Sequence, residues 1–289
     1  MSDNKHDEVE TTGHVWDEDL KELNNPLPRW WVWTFYATIV WGIGYTIAYP
    51  AWPLIDRATG GLLGYSTRTE VAAEINRFEE MNAEVRAQLA GMEPTEIAAN
   101  EAVYNYAIQS GQATFSTYCS QCHGSGANGI AEGNGYPNLL DDEWLWGGDI
   151  EAITYTVTHG IRNEDDPDAR YSQMPAFGDD YLTDEEISNV VAYVMSLSGM
   201  EASEGDATEG EVVFVDNCTA CHGENAQGDP DQGAPNLADA IWLYGASEAA
   251  IETSVRQGPF GVMPNWNTRL DEAEIKAVAA YVHQLGGGE

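Results

Sequence analysis

An internal repeat constrains this chain more than any other feature. Gly111-x-x-x-Phe115-x-x-x-Cys119-x-x-Cys122-His123-Gly124 recurs as Gly210-x-x-x-Phe214-x-x-x-Cys218-x-x-Cys221-His222-Gly223, offset by 99 residues. Pro137-Asn138-Leu139 recurs as Pro235-Asn236-Leu237, and Trp144-Leu145-x-Gly147 as Trp242-Leu243-x-Gly245. Met174-Pro175 matches Met263-Pro264, and Ala192-Tyr193-Val194 matches Ala280-Tyr281-Val282. The first copy is longer near the acidic run Glu164-Asp165-Asp166-Pro167-Asp168. Self-similarity on this scale predicts two copies of one structural unit.

Each copy closes on a capped, amphipathic pattern. Thr183 with Glu186, and Asp271 with Glu274, have capping-box spacing. Ile187, Val190, Val191, Val194 and Leu197 form one apolar stripe; Ile275, Val278, Ala279, Val282 and Leu285 form the other. The small, acidic stretch from Met200 to Glu209 reads as a hinge between copies.

All four cysteines lie in the two Cys-x-x-Cys-His units, the attachment signature of c-type haem. Two thiols at this spacing can each bond one porphyrin vinyl group, and the adjoining His123 or His222 can coordinate the iron. A soft thioether or a second imidazole is the expected sixth ligand. In the second copy Met263 is the only methionine after Met200; its repeat partner in the first copy is Met174. Each precedes proline, which favours an extended loop across the haem face. The expectation is therefore two covalent haem c groups, held by Cys119, Cys122 and Cys218, Cys221, with His123, Met174, His222 and Met263 on iron. His159 competes with Met174 for the first iron, but it aligns with Gln257, so a propionate contact is expected of it, as of Arg162 and Arg256. His283 reads as rim or surface, and Trp144 and Trp242 as pocket wall. Two zinc ligand sets or two disulfides would also use the cysteines. A thioredoxin-like redox pair lacks its βαβ context.

Charge narrows the partners. The chain carries 48 acidic against 12 basic residues, net −36. That field repels nucleic acid and favours basic proteins, and it also serves plain solubility.

From Trp30 to Ile55 no residue is charged. About twenty apolar and aromatic residues span roughly 30 Å as a helix, enough to cross a bilayer. Trp30, Trp31 and Trp33 at one end and Tyr45, Tyr49 and Trp52 at the other resemble interfacial belts. The long acidic segment ahead of it argues for an uncleaved anchor over a signal peptide. Beyond it, Thr67 with Glu70 predicts a helix start, with Val71, Ile75, Phe78, Val85 and Leu89 on one face. A second helix is expected from about Thr95 to Ser110. The connector either packs on partner subunits or is a solvated spacer.

The predicted fold is all-α: one N-terminal transmembrane helix plus two tandem haem domains, and the repeats resemble class I cytochrome c domains. The expected segments are 1–29 cytoplasmic, 30–53 membrane helix, 54–100 helical connector, 101–199 first cytochrome c domain and 205–289 second. Haem attachment of this kind takes place on the outer face of the bacterial inner membrane, which would put residues 56–289 in the periplasm.

The run Leu23-Asn24-Asn25-Pro26-Leu27-Pro28-Arg29-Trp30-Trp31, continuing to Tyr49-Pro50-Ala51-Trp52-Pro53, resembles the start of the dihaem subunit (subunit III) of cbb3-type cytochrome c oxidases. With the tandem repeats, the resemblance covers nearly the whole chain. It implies a membrane-anchored electron-transfer subunit, itself non-catalytic, of a proton-pumping oxidase. Such a subunit takes electrons from a periplasmic cytochrome c. It passes them to a monohaem c subunit and on to the haem–copper subunit that reduces oxygen. A tethered carrier for another respiratory complex, or a free-standing dihaem enzyme, are the alternatives. An enzyme would need an open axial position, which two Met-Pro ligands would fill.

Overall fold

The structure, a computed structural model, describes residues 10–129 and 135–288. It divides into two units, 1–80 and 81–289.

The first unit opens with an antiparallel hairpin, β1 (Thr11–Trp16) and β2 (Leu20–Leu23). Asp17 and Glu18 adopt positive φ between the strands, which makes the reversal tight. The all-α expectation missed this element because its short strands alternate weakly. Helix α1 (Arg29–Ala48) follows Pro28. Pro28 fixes its own φ and needs no N–H at a helix entrance. None of its side chains is buried. No helix among the described residues is long and apolar enough to cross a membrane on mean hydropathy. In α1 the many Trp, Tyr, Thr and Gly residues lower that mean, although Arg29 is its only charge. After α1, the amides of Leu62 and Leu63 donate to the carbonyls of Ile47 and Ala48 and fold the loop back on the helix end.

Helix α2 is Thr67–Gly91. Its cap differs from expectation: Ser66, not Thr67, accepts from the amide of Thr69, and its carbonyl accepts from Glu70. Val71, Ile75 and Phe78 are exposed, whereas Leu89 is fully buried. Leu89 joins Ile97, Val103, Ala107, Ala273 and Ala277 in one cluster, so the end of the connector packs on this chain's own helices. The helix expected over Thr95–Ser110 is instead a 3-10 turn, Pro94–Ala99, then α3 (Glu101–Thr114), capped by Asn100. The Asn100 side chain accepts from the amide of Val103 and starts α3 afresh.

The rest of the second unit is helical. A π turn (Phe115–Cys119) leads from α3 into α4 (Ser120–His123). Then come α5 (Ile150–His159), α6 (Asp184–Leu197), α7 (Ala207–Asn217), α8 (Thr219–His222), α9 (Glu248–Gln257) and α10 (Glu272–His283). Both capping boxes form at α6 and α10. The residues from Met200 to Asp206 are pinned rather than hinge-like. The amide of Met200 donates to Met195, Asp206 N donates to Asn189 Oδ1, and Ser203 donates to Glu248.

The repeats do not close on themselves. The N-terminal helix of the first copy, α3, crosses the last helix of the second, α10; α7 of the second copy crosses α6 of the first. Both crossings sit on the repeated glycine. A Cβ on Gly111 would collide with the Ala277 carbonyl, and one on Gly210 with the Asn189 carbonyl. The repeated aromatics pair across copies too: Phe115 with Tyr281 at 5.6 Å, Phe214 with Tyr193 at 5.3 Å. The sequence units 101–199 and 205–289 are therefore interlaced into two lobes. One combines α3–α5 with Met263 and α10; the other combines α7–α9 with Met174 and α6. Because the copies are alike, each N-terminal helix fits either C-terminal helix. The short, pinned link holds α7 against α6.

Candidate haem sites

Each lobe brings the repeat motif under the methionine of the other copy. In the first lobe Cys119, Trp144 and Met263 pack against Phe115, Leu139, Ile153, Val157, Trp266 and Val278. In the second, Cys218, Cys221, His222 and Met174 line one cleft with Phe177, Val190, Phe214, Leu237 and Trp242. The sequence expectation had Met174 over the first motif and Met263 over the second. The packing reverses that pairing: Met263 lies with Cys119 and Met174 with Cys218.

The two histidines are held alike. Nδ1 of His123 lies 3.2 Å from the Pro137 carbonyl, and Nδ1 of His222 lies 3.0 Å from the Pro235 carbonyl. A carbonyl can only accept, so Nδ1 donates and Nε2 is left bare, free to hold a metal. Burial lowers both imidazole pKa values, and the carbonyl bond only partly opposes this. A neutral ring with a free Nε2 is what iron requires. The repeated Pro-Asn-Leu segment thus places an acceptor, a role the sequence did not reveal.

All four cysteines are free of disulfides. Cys122 and Cys221 are exposed; Cys119 and Cys218 are half-buried, and burial pushes their thiols up to about 11. Cys119 and Cys218, each packed against an apolar cluster, are placed as thioether attachment to a porphyrin would need. The donor set, the committed Nδ1 atoms and the apolar walls fit a haem c in each lobe.

The other candidates divide. Arg162 lines the second cleft, with Nε donating to the Gly261 carbonyl at 2.6 Å and Nη1 to the Ser172 carbonyl at 3.1 Å. Arg256 is engaged instead with Asp184 and Glu252, each at 2.7 Å. His159 pairs with Asp166 at 3.1 Å. His283 is half-buried on α10. Sequence reasoning overlooked Trp146, whose buried Nε1 has no partner and whose ring lies 5.4 Å from the Arg170 guanidinium. Its repeat partner is Tyr244, and that alignment was the available signal.

Two helical lobes, each holding a Cys-x-x-Cys-His unit beneath a Met-Pro loop, define a tandem c-type cytochrome module. The comparisons narrow the class. Residues 107–194 and 205–282 match the model described as cytochrome c oxidase, cbb3-type, subunit III. Residues 8–56 match the N-terminal domain of cytochrome oxidase-cbb3, FixP. The chain belongs to the family of cbb3-type cytochrome c oxidase subunit III. It is 58% identical to the cbb3-type cytochrome c oxidase subunit CcoP of Cereibacter sphaeroides, over 99% of this chain and 97% of that one. It is 50% identical to the CcoP subunit of Rhodobacter capsulatus, over 98% and 97%. It is likewise 50% identical to the subunit FixP of Sinorhizobium medicae, over 97% and 96%.

Proposed function

We propose that this chain is the dihaem c electron-transfer subunit of a cbb3-type oxidase. One haem would be held by Cys119 and Cys122 and the other by Cys218 and Cys221. His123 and Met263 would hold the iron of the first, His222 and Met174 that of the second. The crossed pairing rests on one observation: each motif shares its apolar pocket with the other copy's methionine.

A haem held there would supply one-electron chemistry. The protein's part would be to hold the iron through its histidine and methionine, exclude water and orient the ring. A Met/His pair raises the potential and leaves no site for oxygen. The carbonyls of Pro137 and Pro235 hold each imidazole at a fixed tautomer and angle. The partners are the monohaem c and haem–copper subunits of the oxidase, and the donor is a basic cytochrome c, steered by net charge −36. Helix α1 is the membrane anchor. Its twenty residues carry charge only at Arg29, and its large side chains are left uncovered. Tryptophan and tyrosine count against mean hydropathy but favour bilayer interfaces. The N-terminus then lies in the cytoplasm and both lobes in the periplasm of a bacterial inner membrane.

The test is the intact mass and spectrum of the purified chain, followed by Met263→His and Met174→His. The mass must exceed the polypeptide by two haems. Each variant should lower the potential of one haem only, Met263→His that at Cys119. A single-haem mass, or Met263→His moving the haem at Cys218, would sink this assignment. Reduction by a basic cytochrome c should slow as salt is raised.

A further inference from the structure

The two methionine loops are not held equally. Both follow the same backbone course. The amides of Trp266 and Asn267 donate to the Val157 and Thr158 carbonyls, and those of Phe177 and Gly178 donate to Val255 and Arg256. Both are crowded against a helix-ending glycine. A Cβ on Gly160 would strike the Met263 carbonyl, and one on Gly258 the Met174 carbonyl. From there the lobes diverge. Met263 exchanges two backbone hydrogen bonds with Ile161, at 2.9 and 3.0 Å. The repeat counterpart of Ile161 is Pro259, which has no N–H to give.

Side chains widen the difference. In the first lobe Asn163 Nδ2 donates to Asn265 Oδ1 at 2.6 Å, and Asn265 Nδ2 to Asn267 Oδ1 at 2.7 Å. Asn267 Nδ2 donates to Asp166 Oδ2 at 2.8 Å, which also lies 3.1 Å from His159 Nδ1. Asp166 Oδ1 accepts from the amide of Asp168 at 2.9 Å. Asp166, Asn265 and Asn267 are linked into one chain, and Asp166 and Asn265 are buried. Their counterparts in the Met174 loop, Ala176 and Gly178, can make no such bonds. Asp166 comes from the acidic stretch that lengthens the first copy.

We infer that Asp166 is a positioning residue. Through Asn267 and Asn265 it clamps the loop carrying Met263, so that the methionine–iron bond at Cys119 resists displacement while the one at Cys218 yields first. This inference rests on the crossed ligation proposed above. The extra segment of the first copy is then a brace for the other copy's ligand, and it makes two otherwise matched centres unequal. A group that touches neither haem nor ligand thereby sets which site opens to an external ligand.

The experiment uses the full-length dihaem chain and follows the ferric methionine–iron charge-transfer band during titration with imidazole. Replacing one methionine by histidine silences that haem, so each site is read alone. With Met174→His in place, Asp166→Ala should lower the imidazole concentration that bleaches the remaining band by about tenfold, the order expected for losing a charged hydrogen bond. With Met263→His in place, Asp166→Ala should leave the midpoint unchanged. Asp166→Asn keeps an acceptor for Asn267 and should restore most of the loss. Asn267→Ala gives the same readout if Asp166→Ala fails to fold. An equal shift at both sites, or none at Met263, overturns the clamp. A parent chain with no charge-transfer band overturns the ligation itself, and the two failures are distinguishable.

Discussion

At the scale of single residues, Gly111 and Gly210 decide how closely the helices approach. Each sits where a neighbouring carbonyl leaves no room for a methyl group. Gly210→Ala should destabilise the second lobe by about 1–3 kcal/mol, the usual cost of overpacking. Chemical denaturation of the haem-loaded chain, read by the midpoint at constant slope, measures it. Gly199→Ala is unsuitable as a control because its φ is positive; Gly91→Ala has open space and should change little. Sequence reading found these glycines through the repeat, together with the cysteines, histidines and methionines, because chemistry fixes residue type there. It could not find Pro137 or Pro235 as imidazole acceptors, since the backbone carbonyl of any residue would serve. Nor could it separate Met174 from Met263 by lobe: identical motifs carry no label saying which copy they face.

At the scale of elements, the capping boxes were legible and the connector was not. Thr183 and Asp271 announce α6 and α10 through a pattern three residues long, and both helices begin where it says. Thr183→Ala should cost about 1 kcal/mol, seen as a lowered unfolding midpoint. The connector failed because Asn100 breaks an otherwise helical stretch, and because Leu89 and Ile97 are buried by residues nearly two hundred positions away. Lys276 shows the same long reach. Its ammonium donates to the carbonyls of Ala90 and Met92 at 2.6 and 2.7 Å, covering the end of α2, and pairs with Glu272 at 2.8 Å. Removing α10 from Glu272 onward should therefore uncover the haem at Cys119, not the one at Cys218. Loss of the methionine–iron band from the first site with retention at the second is the expected result. The reverse would contradict the interlaced packing.

At the scale of the whole second unit, one contact between the lobes joins two acidic groups. Glu143 of the first copy is raised to about 7 by burial and then by neighbouring Asp239 of the second. Its folded form holds a proton that the unfolded chain gives up near pH 4.3. Stability should therefore fall as pH rises between those values and level off above about 7. Glu143→Gln should flatten that slope and stabilise the chain at neutral pH, as unfolding midpoints across pH 4.5–8 would reveal; an unchanged slope would assign it elsewhere. The interlacing also fixes an order of events during synthesis. Helix α10 is made long after Cys119, which it shelters, whereas α6 is made before Cys218, which it shelters. The second centre can close as soon as its own segment is complete. The first, although its cysteines are made earlier, stays open until α10 has been made.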